Sequence, residues 1–220
     1  LKPCVTASPM GITTTLSLGQ STTRALKLSN DGGASTAFSL TEQLLSAPTA
    51  MPLADIVVDG SFEATSPSTY QNPNWTQSST AFGTVLCDAT GCGTGGGTAG
   101  ARTGSFWGWF GGNTTGDTGY LQQTVTTGGP GTLKFYLWIG AAGTSTDYIK
   151  VSVDGTELFR ATAAQMSSYS SYTLVTVPVN VGAGSHVLRF DSVSTGLSNF
   201  NLDDVSMTAG AGAAADVNWL

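Results

Sequence analysis

The chain has 220 residues, of which 40% are hydrophobic and only 10% charged, with 29 glycines and a formal net charge of −6. Its eight Lys and Arg residues form no basic run, so nucleic acid and anionic membrane surfaces are excluded as partners. No stretch approaches the roughly 18 uninterrupted apolar residues of a membrane span, and LKPCVTASPM lacks a signal peptide's apolar core; the expectation is a soluble, processed or trimmed chain without membrane insertion.

Helical periodicity is confined to TEQLLSA (41–47) and ATAAQMSS (161–168), and alternation of apolar and polar residues dominates elsewhere. In the first segment, residues 1–50, Leu16 and Leu18 alternate with polar residues, Ala25, Leu26 and Leu28 precede the turn NDGG, and Phe38 and Leu40 follow it. This predicts two or three strands of an immunoglobulin-like sheet, too few to bury a core where such sandwiches have about seven. LSAPTAMPLAD is a proline-marked connector, and from residue 56 strand patterns recur: IVVDGSFEA, NWTQSS, GTVLCD, GSFWGWFGG, GYLQQTVTT, GTLKFYLWIG, DYIKVSVDGTELFRAT, YTLVTVPVNV, SHVLRFDSV and FNLDDVSMT. Roughly eight to ten strands over about 150 residues, with Gly-rich turns and no crossover helices, fit a two-sheet jelly roll over 56–208.

A small-residue linker (209–214) leads to ADVNWL (215–220), whose Val217 and Trp219 ask for a core. The predicted fold is therefore all-β, a jelly-roll β-sandwich inserted in a partial immunoglobulin-like β-sandwich that 215–220 rejoins. The missing strands would come from another chain or from a further segment. Cys87 and Cys92 bracket the polar turn CDATGC, which reads as a disulfide, with two free thiols as the alternative; Cys4 is left over.

DGSFEATS, NWTQSS, GYLQQTVTT, LKFYLWIG, IKVSVDGTELF and NFNLDDVSM together resemble the jelly-roll modules of the carbohydrate-binding type found in secreted bacterial proteins. The flanks LSLGQSTTRALKLSNDGGASTAFSLTE and DVNWL resemble the immunoglobulin-like repeats trailing subtilisin-like peptidases and related exported proteins. The first resemblance implies a structural calcium near the junction of the first and last strands, with Glu63 and Asp203 or Asp204 as ligands and Asp59 close by. Calcium takes six to eight oxygen ligands, as carboxylates on adjacent strands can supply. Both resemblances imply an extracellular or cell-surface location.

Alternation puts Leu133, Phe135, Leu137 and Ile139 on one face of their strand and Lys134, Tyr136 and Trp138 on the other, and sets Phe106 and Phe110 opposite Trp107 and Trp109. The outward set Trp107, Trp109, Tyr136 and Trp138 is open to three fates: a sugar, another protomer, or cover by the chain's own GTGGGTAGARTG. That Gly-rich run has no following lysine or helix and is no phosphate loop. His186, the single histidine, has no catalytic companion, and neighbouring carboxylates such as Asp203 and Asp204 should point to opposite faces of a strand. The expected function is non-catalytic: a structural module assembling by strand complementation into an extracellular fibre or surface array. The alternative is a carbohydrate- or cell-surface-binding accessory module of a larger exported hydrolase or peptidase. Partners on these readings are copies of the chain or the rest of its parent, and possible polysaccharide.

Overall fold

The computed structural model describes residues 2–9, 12, 22–37, 54–94 and 100–208. The chain divides into two units between Pro52 and Leu53. In the first, β1 (Val5–Ser8) and β2 (Lys27–Asn30) form an antiparallel ribbon pairing Val5 with Asn30 and Ser8 with Lys27. The NDGG turn after β2 is tied back by Asn30 Oδ1, which accepts from Cys4 N and Gly32 N, both at 3.1 Å. β1 has no counterpart in the expected strands, because VTAS is too short to carry a periodic signal. The strands expected around Leu16–Leu18 and Phe38–Leu40, the helix at 41–47 and the returning strand with Val217 and Trp219 lie outside the described residues.

The second unit is a two-sheet antiparallel jelly roll. Its strands are β3 (Thr76–Ser79), β4 (Leu86–Asp88), β5 (Phe106–Gly111), β6 (Asp117–Thr127), β7 (Gly131–Ala141), β8 (Tyr148–Val153), β9 (Thr156–Thr162), β10 (Thr173–Val179), β11 (Gly184–Ser194) and β12 (Asn199–Thr208). One sheet has the order β10-β7-β12-β5-β4 and the other β3-β6-β11-β8-β9, so from β5 onward the chain crosses between sheets at nearly every turn. The exception is the β8–β9 hairpin, closed by Asp154 and Gly155 at φ 51° and 79°, as a two-residue turn with two positive φ angles requires.

Alternation in sequence becomes alternation in burial. On β7, Leu133, Phe135, Leu137 and Ile139 are buried between the sheets, and Phe135 meets Phe190 and Phe159 edge-on at 5.2 and 5.6 Å. Phe135→Ala would cost about 3–5 kcal/mol through lost contact and cavity. ATAAQMSS does coil, as a 3-10 helix over Ala163–Tyr169. CDATGC contains a single helical turn, α1 (Ala89–Cys92), capped by the Asp88 carboxylate.

IVVDGSFEA departs from its expected strand. Only Asp55 bridges Thr208; the residues after it form turns in which Asp59 and Phe62 take φ 55° and 64°. The reason is a close approach of two backbones, since Val205 N donates to Gly60 O at 2.9 Å and a Cβ at Gly60 would run into Val205. The turn drives Phe62 fully into the core against Trp75, whose indole N–H is satisfied by Asp59 O at 2.9 Å.

Candidate functional site

The outer face of the β10-β7-β12-β5-β4 sheet carries the residues opposite the core set. Register places Asn201 between Trp109 and Trp138, and Asp203 beside Tyr136. Large rings on a sheet's outer face need cover or a ligand, and here a strap, residues 100–105, supplies most of the cover. Ala101 packs on the Trp107 and Cys87 cluster, the Arg102 guanidinium sits 3.4 Å from the Tyr136 ring centroid, and Tyr172 OH donates to Gly100 O at 2.6 Å. Trp107 is 0% exposed and so presents no face to a ligand or protomer. Tyr136 is capped by Arg102, and Trp138 lies half-buried, edge-on to Tyr172 at 5.6 Å. Of the four expected contact residues, Trp109, half-buried and stacked on Trp107 at 6.3 Å, reaches an open cleft.

Three carboxylates hold the strap. Glu63 Oε1 accepts from Ser105 N and Phe106 N at 2.9 Å, and Asp203 Oδ2 from Arg102 N at 2.6 Å and Thr103 N at 3.2 Å. Asp204 pairs with the Arg102 guanidinium through one oxygen and with the Thr103 hydroxyl through the other. Neighbours on a regular strand could not share a target, yet Asp203 and Asp204 do. β12 carries a bulge between Asp203 and Ser206 with Asp204 at φ 50°, which turns both carboxylates to the strap and corrects the expectation of opposite faces. Asp203 is 0% exposed, and burial, followed by the charge of Asp204, pushes its pKa up to about 7 against the pull of the backbone N–H groups.

As arranged, these residues do not fit calcium. Asp59 is held apart, accepting from Asn72 Nδ2 at 2.6 Å and Ala64 N at 3.2 Å, while the other three carboxylates face N–H and O–H donors and a guanidinium. Among the described residues no three acidic, Cys or His side chains gather in a way that could hold a metal ion.

The cleft beside Trp109 has a volume of about 400 Å³ and is lined by Tyr70, Phe82, Thr84, Trp109, Gly111 and Gly112 among others. Phe82 is 58% exposed on the β3–β4 turn. Trp109 Nε1 is buried without a partner among the described residues; Gly112, at φ 84°, lies over it so closely that a Cβ there would come within 2.8 Å. Cys87 and Cys92 also line this cleft as free thiols in mutual contact, not joined by a bond. Hydrogen bonding to Cys92 and burial push the Cys87 thiol far up, while the same bond lowers Cys92. Neither Tyr70 nor Phe82 stood out in the sequence: each is an isolated ring in a turn-rich stretch, and only the fold brings them to Trp109.

His186 is structural in its setting. Its Nδ1 lies 2.7 Å from Asp154 Oδ2, its Nε2 3.1 Å from Gly182 O, and the second Asp154 oxygen accepts from Val187 N, tying the β8–β9 turn to β11.

No protein-family model matches the chain, and neither does any curated protein. Solved structures similar to it include a family 61 carbohydrate-binding module in complex with β-1,4-galactotriose, at 13% identity and TM-score 0.49, covering 71% of this chain and 99% of that one. The K3 cleaved adhesin domain of Lys-gingipain from Porphyromonas gingivalis is similar at 19% identity and TM-score 0.48, with the same coverage of 71% and 99%. The CBM22-1 xylan-binding domain of Paenibacillus barcinonensis Xyn10C is similar at 15% identity and TM-score 0.44, covering 75% and 100%.

Proposed function

We propose that the jelly roll is a non-catalytic carbohydrate-binding accessory module of an exported protein, and that it holds a saccharide in the cleft between Phe82 and Trp109. One observation carries this reading: an exposed phenyl ring and a half-buried indole border a cleft of about 400 Å³ that also offers the Thr84 and Tyr70 hydroxyls. Pyranose rings present apolar C–H faces to aromatic rings and hydroxyl edges to polar groups, which is the mix of a few placed polar groups in an aromatic wall that small-ligand sites use. The reading departs from a fibre built by strand complementation, which rests on residues 215–220, outside the described part of the chain.

The test is retention of the full chain on insoluble polysaccharides, and titration of its tryptophan fluorescence with soluble oligosaccharides. Phe82→Ala and Trp109→Ala should each weaken binding about tenfold or more, the range of a lost aromatic contact of about 1.4 kcal/mol. Retention that neither substitution alters, or the lack of any saccharide ligand, would sink the proposal.

A further inference from the structure

The charges around the cleft select among saccharides. Of the chain's eight Lys and Arg residues, Arg102, Lys134, Lys150, Arg160 and Arg189 belong to the jelly roll, and none of them lines the cleft. The three guanidiniums are spent in one recurring arrangement, each over a tyrosine ring and against a carboxylate. Arg102 lies over Tyr136 and pairs with Asp204; Arg160 lies 3.9 Å over Tyr148 and 2.6 Å from Glu157; Arg189 lies 3.9 Å over Tyr120 and 2.7 Å from Asp191. Lys134 is exposed on β7 and Lys150 is on the other sheet, and neither borders the cleft.

A carboxylate, by contrast, stands directly behind the cleft lining. Asp88 Oδ1 accepts from Tyr70 OH at 3.2 Å, Thr90 N at 3.0 Å and Gly91 N at 2.8 Å, and both Tyr70 and Gly91 border the cleft. An acidic sugar entering here would lose hydration, find no cation among the described residues that line the cleft, and approach a fixed negative group behind it, each of which opposes binding. A neutral sugar meets none of these costs and can use the Tyr70 and Thr84 hydroxyls and the aromatic walls.

We infer that the cleft takes a neutral saccharide and rejects uronic, sialylated or sulfated ones, an inference that rests on the carbohydrate-binding reading above. The experiment titrates the full chain, by tryptophan fluorescence and calorimetry, with neutral hexose and pentose oligosaccharides and with their uronate-bearing counterparts of equal length. The expected result is binding of a neutral oligosaccharide, about tenfold or weaker binding of its uronate counterpart, and an affinity almost independent of salt, because no ion pair forms. Phe82→Ala, a change at an exposed ring that leaves the core intact, should weaken neutral binding about tenfold or more. Tighter binding of the uronate counterpart, with an affinity that falls as salt rises, would overturn the inference while leaving a saccharide module standing. Binding of neither class would overturn both, and neutral binding unaffected by Phe82→Ala would place the ligand elsewhere and overturn the role of the cleft.

Discussion

Asp203 makes the folded state sensitive to pH. Its carboxyl is fully buried beneath the strap, beside Asp204, and its pKa rises from the ordinary 3.8 to about 7. Below pH 3.8 it is protonated in both folded and unfolded chains and costs nothing. Between the two values the unfolded chain ionises freely while the folded one resists, so stability falls as pH rises, and above about pH 7 the full penalty is present. The gap corresponds to roughly 4 kcal/mol at about 1.36 kcal/mol per pH unit, a large share of the stability of a domain this size. Asp203→Asn removes the titration. The amide oxygen can still accept from Arg102 N and Thr103 N, but its NH₂ group meets the Asp204 N–H that Asp203 Oδ1 now satisfies at 2.7 Å, at a cost of about 1 kcal/mol.

The variant should therefore be about 1 kcal/mol less stable than the wild type near pH 3 and more stable by up to about 3 kcal/mol at pH 8, the two curves crossing between. Urea denaturation followed by tryptophan fluorescence across this range measures both. His186, held above its ordinary 6.5 chiefly by Asp154, adds a slope of the same sign, but it is common to both proteins and cancels in their difference. Parallel pH curves for wild type and Asp203→Asn would refute the reasoning.

Glu63→Gln keeps the shape of the clamp but loses its charge against Ser105 N and Phe106 N; a loss of about 1–2 kcal/mol in urea denaturation and a red-shifted tryptophan emission are expected as the strap loosens. Cys87 and Cys92, already in contact at the cleft, should close to a disulfide under mild oxidation, losing two hydrogens in intact mass and leaving Cys4 as the single thiol titrated by a thiol reagent. The short loop limits the gain to about 2 kcal/mol, read as a rise in Tm that a reductant reverses. Calcium should leave the wild-type Tm unchanged, because Arg102 already meets the charge of Asp204; a calcium-dependent rise would show that the carboxylates re-form around the ion.

Strand interiors were legible because one face of each had to be apolar: β7 and β11 were placed by alternation alone, whereas DYIKVSVDGTELFRAT, read as one strand pattern, is a hairpin of β8 and β9 folded at Asp154–Gly155. Where backbone meets backbone the pattern carried no signal. The approach of Gly60 to Val205 turned an expected strand into a turn, and the bulge at Asp204 turned an expected divergence of carboxylates into convergence. The aromatic residues of the sheet's outer face were identified in the sequence, but not which of them stay open, since that depends on where residues 100–105 come to rest. Phe82 and Tyr70 became part of the site only through long-range placement beside Trp109.

The same bulge that makes Asp203 costly also decides what the outer face offers. By aiming two neighbouring carboxylates at one segment, it fixes Arg102 over Tyr136 and Ala101 over Trp107, and so withdraws the middle of the aromatic face from solvent. What remains accessible is the margin, where β5 runs into Gly111 and Gly112 and the missing side chain of Gly112 lets the backbone pack directly on the Trp109 indole at the cleft. The raised pKa of Asp203 and the cover over Tyr136 and Trp107 are thus two consequences of one irregularity in β12.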